Sequence, residues 1–145
     1  MGKKEQKKKP KAAFAIKSQK TPRLPNFPDP MRQHPSWRVS RMELADPYGW
    51  HVLDRDTLSM IRERLRNLEA LTWHEILVRD NYWNHEYEIS RLGEDALRRL
   101  RELGQDDTDF IVSLRLGNFE RVWGFRDNEI LNLLWWDPNH QVYPV

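Results

Sequence analysis

Apolar positions along the chain change period twice, and each change marks an element. Trp37–Leu44 alternates loosely and is compatible with a strand. Asp46-Pro-Tyr-Gly49 carries turn chemistry, and Trp50–Leu53 resumes an extended pattern. Leu58, Ile61, Leu65 and Leu68 then recur at helical spacing, with Asp56 or Thr57 placed to cap. Arg62, Arg66 and Glu69 fall on the opposite face and read as a solvated surface. Thr72-Trp-His-Glu75 is a capping box, in which the Thr72 hydroxyl accepts from the Glu75 amide and Glu75 reaches back. Leu71 and Ile76 supply the hydrophobic staple, so a second short helix runs to about Val78. Asp80–Glu88 is a polar, aromatic loop. Ser90 is placed to cap a third helix with Ala96, Leu97, Leu100 and Leu103 as its stripe, and Gly104 stops it.

Beyond Gly104 the period becomes two. Phe110–Leu116 alternates, Gly117-Asn118 turns, and Phe119–Arg126 is a second strand. Asp127-Asn128 is a two-residue turn favouring positive φ, and Glu129–Trp136 is a third strand. Asp137-Pro138-Asn139 turns again before a last short extended stretch, Gln141–Tyr143. The expected fold class is α+β: an N-terminal strand and helices packed on a C-terminal antiparallel β-meander. The tight turn sets a register in which Arg126 opposes Glu129, Trp123 opposes Asn132 and Arg121 opposes Leu134. Arg121, Trp123 and Phe125 then share one face with Asn132, while Val122, Gly124, Leu131 and Leu133 share the other and pack on helices. The first set has two readings: an RNA-facing groove of stacking aromatics and phosphate-holding Arg, or core on a sheet covered on both sides.

Charge divides the chain. The 145 residues carry a net charge of +2, yet residues 1–38 hold eight Lys and three Arg against two acids, and the remainder is net acidic. All eight Lys lie within the first 20 residues. Five Pro between positions 22 and 35 preclude a continuous helix. Residues 1–35 are therefore expected to form a flexible basic, Pro-rich arm, and 36–145 a single domain. The arm, with Lys7, Lys8 and Lys9 at its most basic point, fits a solubilising tail, an RNA- or DNA-phosphate contact, or a localisation signal.

The absence of Cys excludes a disulfide scaffold, Cys-ligated zinc, an iron–sulfur cluster and a thiol nucleophile. It fits a reducing compartment such as the cytoplasm. No run approaches the roughly 18 apolar residues of a membrane span. No Gly-rich phosphate loop, GxSxG or zinc-ligand spacing is present, so no cofactor and no metal are expected. His74 and Glu75 lack the second His of an HExxH site, and capping accounts for Glu75. His85 reads as a lone loop histidine.

The run Phe110–Trp136, with its Leu-Arg-Leu-Gly turn and Glu-Arg-Val-Trp strand, followed by Asp137-Pro-Asn-His140-Gln-Val-Tyr143, resembles the C-terminal half of the RelE/ParE toxin superfamily. It covers about residues 109–145. The extra helix at Ser90–Leu103, the basic arm and the Trp-rich sheet depart from the family pattern. The resemblance implies a metal-independent mRNA endoribonuclease, ribosome-dependent or free, neutralised by a partner antitoxin. In such enzymes the ribose 2′-OH attacks the adjacent phosphate, cations stabilise the phosphorane and an acid protonates the leaving 5′-oxygen. By that resemblance Arg121 and Arg115 hold the phosphate, and His140 and Tyr143 act as acid or stack on a base. Trp123, Phe125 and Arg126 would line the RNA groove. No residue matches a general-base carboxylate. The alternative is a non-catalytic RNA-binding or protein-interaction domain.

Overall fold

Residues 28–144 are described by a computed structural model. The alternating C-terminal third folds into β3 (Phe110–Arg115), β4 (Arg121–Asp127) and β5 (Ile130–Asp137), an antiparallel meander. Two further strands complete a five-stranded sheet in the order β1-β5-β4-β3-β2. β1 (Ser36–Arg38) runs parallel to β5, and β2 (His85–Glu88) runs antiparallel to β3. The protein is thus α+β with a mixed sheet. β2 lies where the sequence pattern reads as loop, because its alternating His85, Glu86, Tyr87 and Glu88 contain no aliphatic residue to mark a strand. Trp50–Val52 is a 3-10 turn rather than a strand, and Gln141–Tyr143 forms none.

The helical stripe over Leu58–Leu68 gives α1 (Arg55–Glu69), capped two to three residues earlier than expected by the Asp54 carboxylate, which accepts from the Thr57 amide. The capping box forms as its residues dictate: Glu75 N donates to Thr72 Oγ1 at 3.2 Å, and Thr72 N donates to Glu75 Oε1 at 2.9 Å. The turn it starts, Glu75–Arg79, is π-type. α2 (Glu94–Glu102) begins at Gly93 rather than Ser90, and Gly104 ends it at φ +68°.

The expected arm is corrected at its C-terminal end. Pro30–Arg32 form a 3-10 turn capped by Asp29, the Trp73 amide donates to the Gln33 carbonyl, and His34 Nδ1 lies 3.0 Å from the Leu71 carbonyl. Residues 1–27, with Lys7, Lys8 and Lys9, lie outside the described residues.

The register of β4 against β5 also departs from expectation. Asp127 pairs with Ile130, so Phe125 rather than Trp123 faces Asn132. A shift of two leaves every side chain on its expected face. A bulge at Trp123/Gly124 then moves the pairing one residue further, setting Trp123 opposite Trp135 and Arg121 opposite Asp137. Gly124 permits this because a Cβ there would collide with the Asn132 carbonyl.

Both faces are covered. Val112, Leu114, Val122, Leu131, Leu133 and Trp136 pack with Ile61 and Leu65 of α1 and with Trp73 and Ile76. Ile111, Trp123, Phe125, Leu134 and Trp135 pack beneath Ala96 and Leu100 of α2, Tyr48 and Val142. Trp123 is 0% and Phe125 4% exposed, so neither lines an open RNA groove. The covered-sheet reading prevails, since burying such rings removes more apolar surface from water than any other residue type can.

Candidate functional site

The second face is closed by polar anchors. Glu43, 8% exposed, accepts from Trp135 Nε1 at 2.7 Å and pairs with the Arg99 guanidinium of α2. Asp137, fully buried, accepts from Trp123 Nε1 (3.2 Å) and from the amides of Gln141 (2.9 Å) and Val142 (3.0 Å). These bonds fold the segment after β5 back over the sheet. The Gly93 amide donates to the Val142 carbonyl, and Tyr143 stacks on Tyr87 of β2 with ring centroids 4.2 Å apart. Within this return His140 takes φ +55°.

Beyond the aromatic zone the same face ends in a pair of cations. Arg115 and Arg121 are direct partners across β3 and β4. Arg115 Nε donates to the Gly117 carbonyl at 2.9 Å, and Arg121 Nη1 donates to the carbonyls of Gly117, Asn118 and Glu120. Both guanidiniums thus tie down the β3–β4 turn. Arg121 is only 8% exposed, so the open phosphate-holding position expected for it is corrected: its guanidinium is largely enclosed by the turn it ties, and half-buried Arg115 is the more accessible cation. Among the described residues neither makes an ion pair. Burial, and next the Arg115 charge, hold Arg121 below the ordinary guanidinium range. Asp137, opposite Arg121 on β5, and Glu120 offset part of the repulsion between the two like charges, and an added anion would relieve the rest.

Two imidazoles flank the pair. Burial lowers the pKa of His140, and the charges of Arg121 and Arg115 lower it further against the pull of Asp137. Burial likewise lowers His85, which a Tyr82 backbone hydrogen bond partly offsets and the Arg121 charge reinforces. Both rings are therefore neutral at pH 7. Tyr87 lies between, its ring 5.1 Å from that of His85 and its phenol raised by burial and by Tyr143. Tyr143 receives a hydrogen bond from Arg91 Nη2 at 3.1 Å.

Of the expected site residues, Arg115 and Arg121 are direct cross-strand partners at one corner of the sheet, and His140 is near enough to feel both charges, while Tyr143 stacks on Tyr87 and, with His140, lines a cleft against Tyr48, Asp95, Arg98 and Arg99. Trp123 lies inside the core. Phe125 is farther along β4 and buried, and Arg126, pairing with Glu86 and donating to the Asn128 carbonyl, is apart from the corner. His85 and Tyr87 join the corner without having been expected there. The alternation His-x-Tyr, set against that of β3, is the signal that would have placed them. Among the described residues no group of three or more His, Asp or Glu is arranged to hold a metal ion. Among them, too, no helix is long and apolar enough to cross a membrane. Comparison with protein-family models, curated proteins and solved structures gives no significant match.

Proposed function

We propose that this protein binds RNA through its phosphodiester backbone at the Arg115–Arg121 corner. The observation that carries this reading is the cross-strand pair of guanidiniums, neither in an ion pair among the described residues, with half-buried Arg115 as the member open to a ligand and Arg121, 8% exposed, adding its charge from behind. Guanidinium is the side chain best matched to phosphate oxygens. The N-terminal lysines add a sequence-independent phosphate attraction. Equilibrium binding of a labelled 12-nucleotide RNA across a salt series tests the reading. Wild type should bind with a negative salt slope, and Arg115→Ala with Arg121→Ala should lower both affinity and slope. Binding indifferent to both substitutions would rule out the corner.

A second reading, metal-independent cleavage of the RelE/ParE kind, is favoured by the two neutral imidazoles beside Arg121. In that step the 2′-oxygen bonds to phosphorus, the bond to the 5′-oxygen breaks, and a 2′,3′-cyclic phosphate and a 5′-hydroxyl result. One imidazole, neutral, accepts the 2′-OH proton, and the other, in the minority protonated form that grows as pH falls, gives a proton to the departing 5′-oxygen. The depressed pKa values make His140 and His85 better bases than acids at pH 7. The acid role first drawn for His140 therefore demands a lower pH, and cleavage should quicken as pH falls from 8 toward 6. An activity of this kind is the one an antitoxin partner would restrain. Induction in a bacterial host with and without His140→Ala and His85→Ala, alongside RNA cleavage in EDTA, tests it. Intact RNA and unarrested growth with the wild-type chain would leave binding alone.

A further inference from the structure

Next to the cationic pair lies an aromatic step that the RNA-binding reading has not used. Trp83 is 48% and Tyr82 74% exposed, and their rings meet edge to face at 5.0 Å. The Arg115 guanidinium covers the Trp83 ring at 4.2 Å from its centroid. Exposed rings next to a guanidinium are the pairing that single-strand stacking platforms use.

The step is held rigidly from behind. The amides of Trp83 and Asn84 both donate to the Asp80 carbonyl, closing a tight turn. Asn84, 4% exposed, donates from Nδ2 to the Ile76 carbonyl and accepts from the Arg115 amide at Oδ1. One buried amide side chain therefore fixes the Tyr82–Trp83 turn to the backbone of the very residue whose guanidinium lies over the ring. Arg79 braces the other side through a paired contact to Asp80. Across the pair, Phe119 stands 63% exposed on the turn that Arg115 and Arg121 tie down.

We propose that Tyr82 and Trp83 form a base-stacking subsite that confines the cationic corner to single-stranded RNA. This rests on the RNA-binding reading and specifies its substrate. A ring next to an anion-holding guanidinium matches the alternation of base and phosphate along an unpaired strand, whereas a duplex keeps its bases stacked inside and offers only backbone. Anchoring the backbone of the turn beforehand lowers the ordering cost that a mobile loop would impose on binding.

Three labelled probes discriminate: a single-stranded 12-mer of uridine, a 12-base-pair RNA duplex, and a single-stranded 12-mer with abasic sites. Wild type should bind the first at least about tenfold more tightly than the others, the magnitude expected of one stacked base. Trp83→Ala should lose about that factor on the first probe only, with its salt slope unchanged, and Trp83→Phe should recover most of it. The unfolding midpoint of each variant separates loss of stacking from loss of fold. Equal affinity for strand and duplex, or a Trp83→Ala variant that folds and binds the single strand normally, overturns the subsite while leaving phosphate binding intact. Failure of wild type to bind any probe overturns the RNA reading itself.

Discussion

The two faces of the sheet are built on the same alternation and end differently. The face under α1 is aliphatic, with Val112, Leu114, Val122, Leu131 and Leu133 against Ile61 and Leu65, and its margin stays apolar around Trp37, Leu44 and Leu58. The face under α2 is aromatic, and the indole nitrogens of its two central Trp each reach a buried carboxylate. An indole inside a core needs an acceptor, so a Trp-rich face imports Glu43 and Asp137. Those acids in turn recruit Arg99 and the returning chain end. Polar chemistry at one corner is thus a consequence of how the aromatic face is satisfied.

The largest effects should come from breaking that face. Trp123→Ala should cost about 3–5 kcal/mol in denaturant unfolding, the range for emptying a packed aromatic site. A loss no larger than that of Thr57→Ser on the exposed start of α1 would deny the aromatic face its role. Asp137→Ala orphans three donors at once and should cost about 3 kcal/mol. It should also reduce near-ultraviolet circular dichroism from Tyr87 and Tyr143 by freeing the returning segment. Arg115→Ala and Arg121→Ala should each lower the slope of log affinity against log salt by about 1 while leaving unfolding midpoints closer to wild type. On the α1 face, Thr72→Ala removes a cap and should cost about 1 kcal/mol.

The smallest effect is a pH dependence peculiar to the corner. The pKa values of His85 and His140 lie below the ordinary 6.5 in the folded chain. The unfolded chain then binds more protons than the folded one between those values and neutrality, so stability rises with pH there. It is complete above about pH 7 and is lost as pH falls through the folded values. His85→Gln and His140→Gln should flatten the profile between pH 5 and 7. An unchanged slope would mean that the rings are as free as in the unfolded chain.

The meander and both helices were legible because their apolar periods run long enough to be counted, and the capping box at Thr72–Glu75 was legible to the atom. β1 and β2 were not. Three or four residues of mixed polarity carry no period, and both strands exist because an edge of the central meander was available to them. The pairing of Arg115 with Arg121 follows from the meander, whereas the return of His140 and Tyr143 depends on the buried Asp137, which the alternation does not reveal. The groove expected around Trp123 and Phe125 failed because alternation reports which residues share a face but not whether something covers it. His85, Tyr87 and the Tyr82–Trp83 step became visible only once β2 was found beside β3.

The parallel pairing of β1 with β5 sets Trp37 beside Leu131, 94 positions along the chain. Hairpin contacts within β3–β5 close short loops and can arise early, whereas this pairing must wait for a long excursion to be reeled in. A weakened β1 should accordingly hasten unfolding far more than it retards refolding, because its contacts are absent from the rate-limiting barrier.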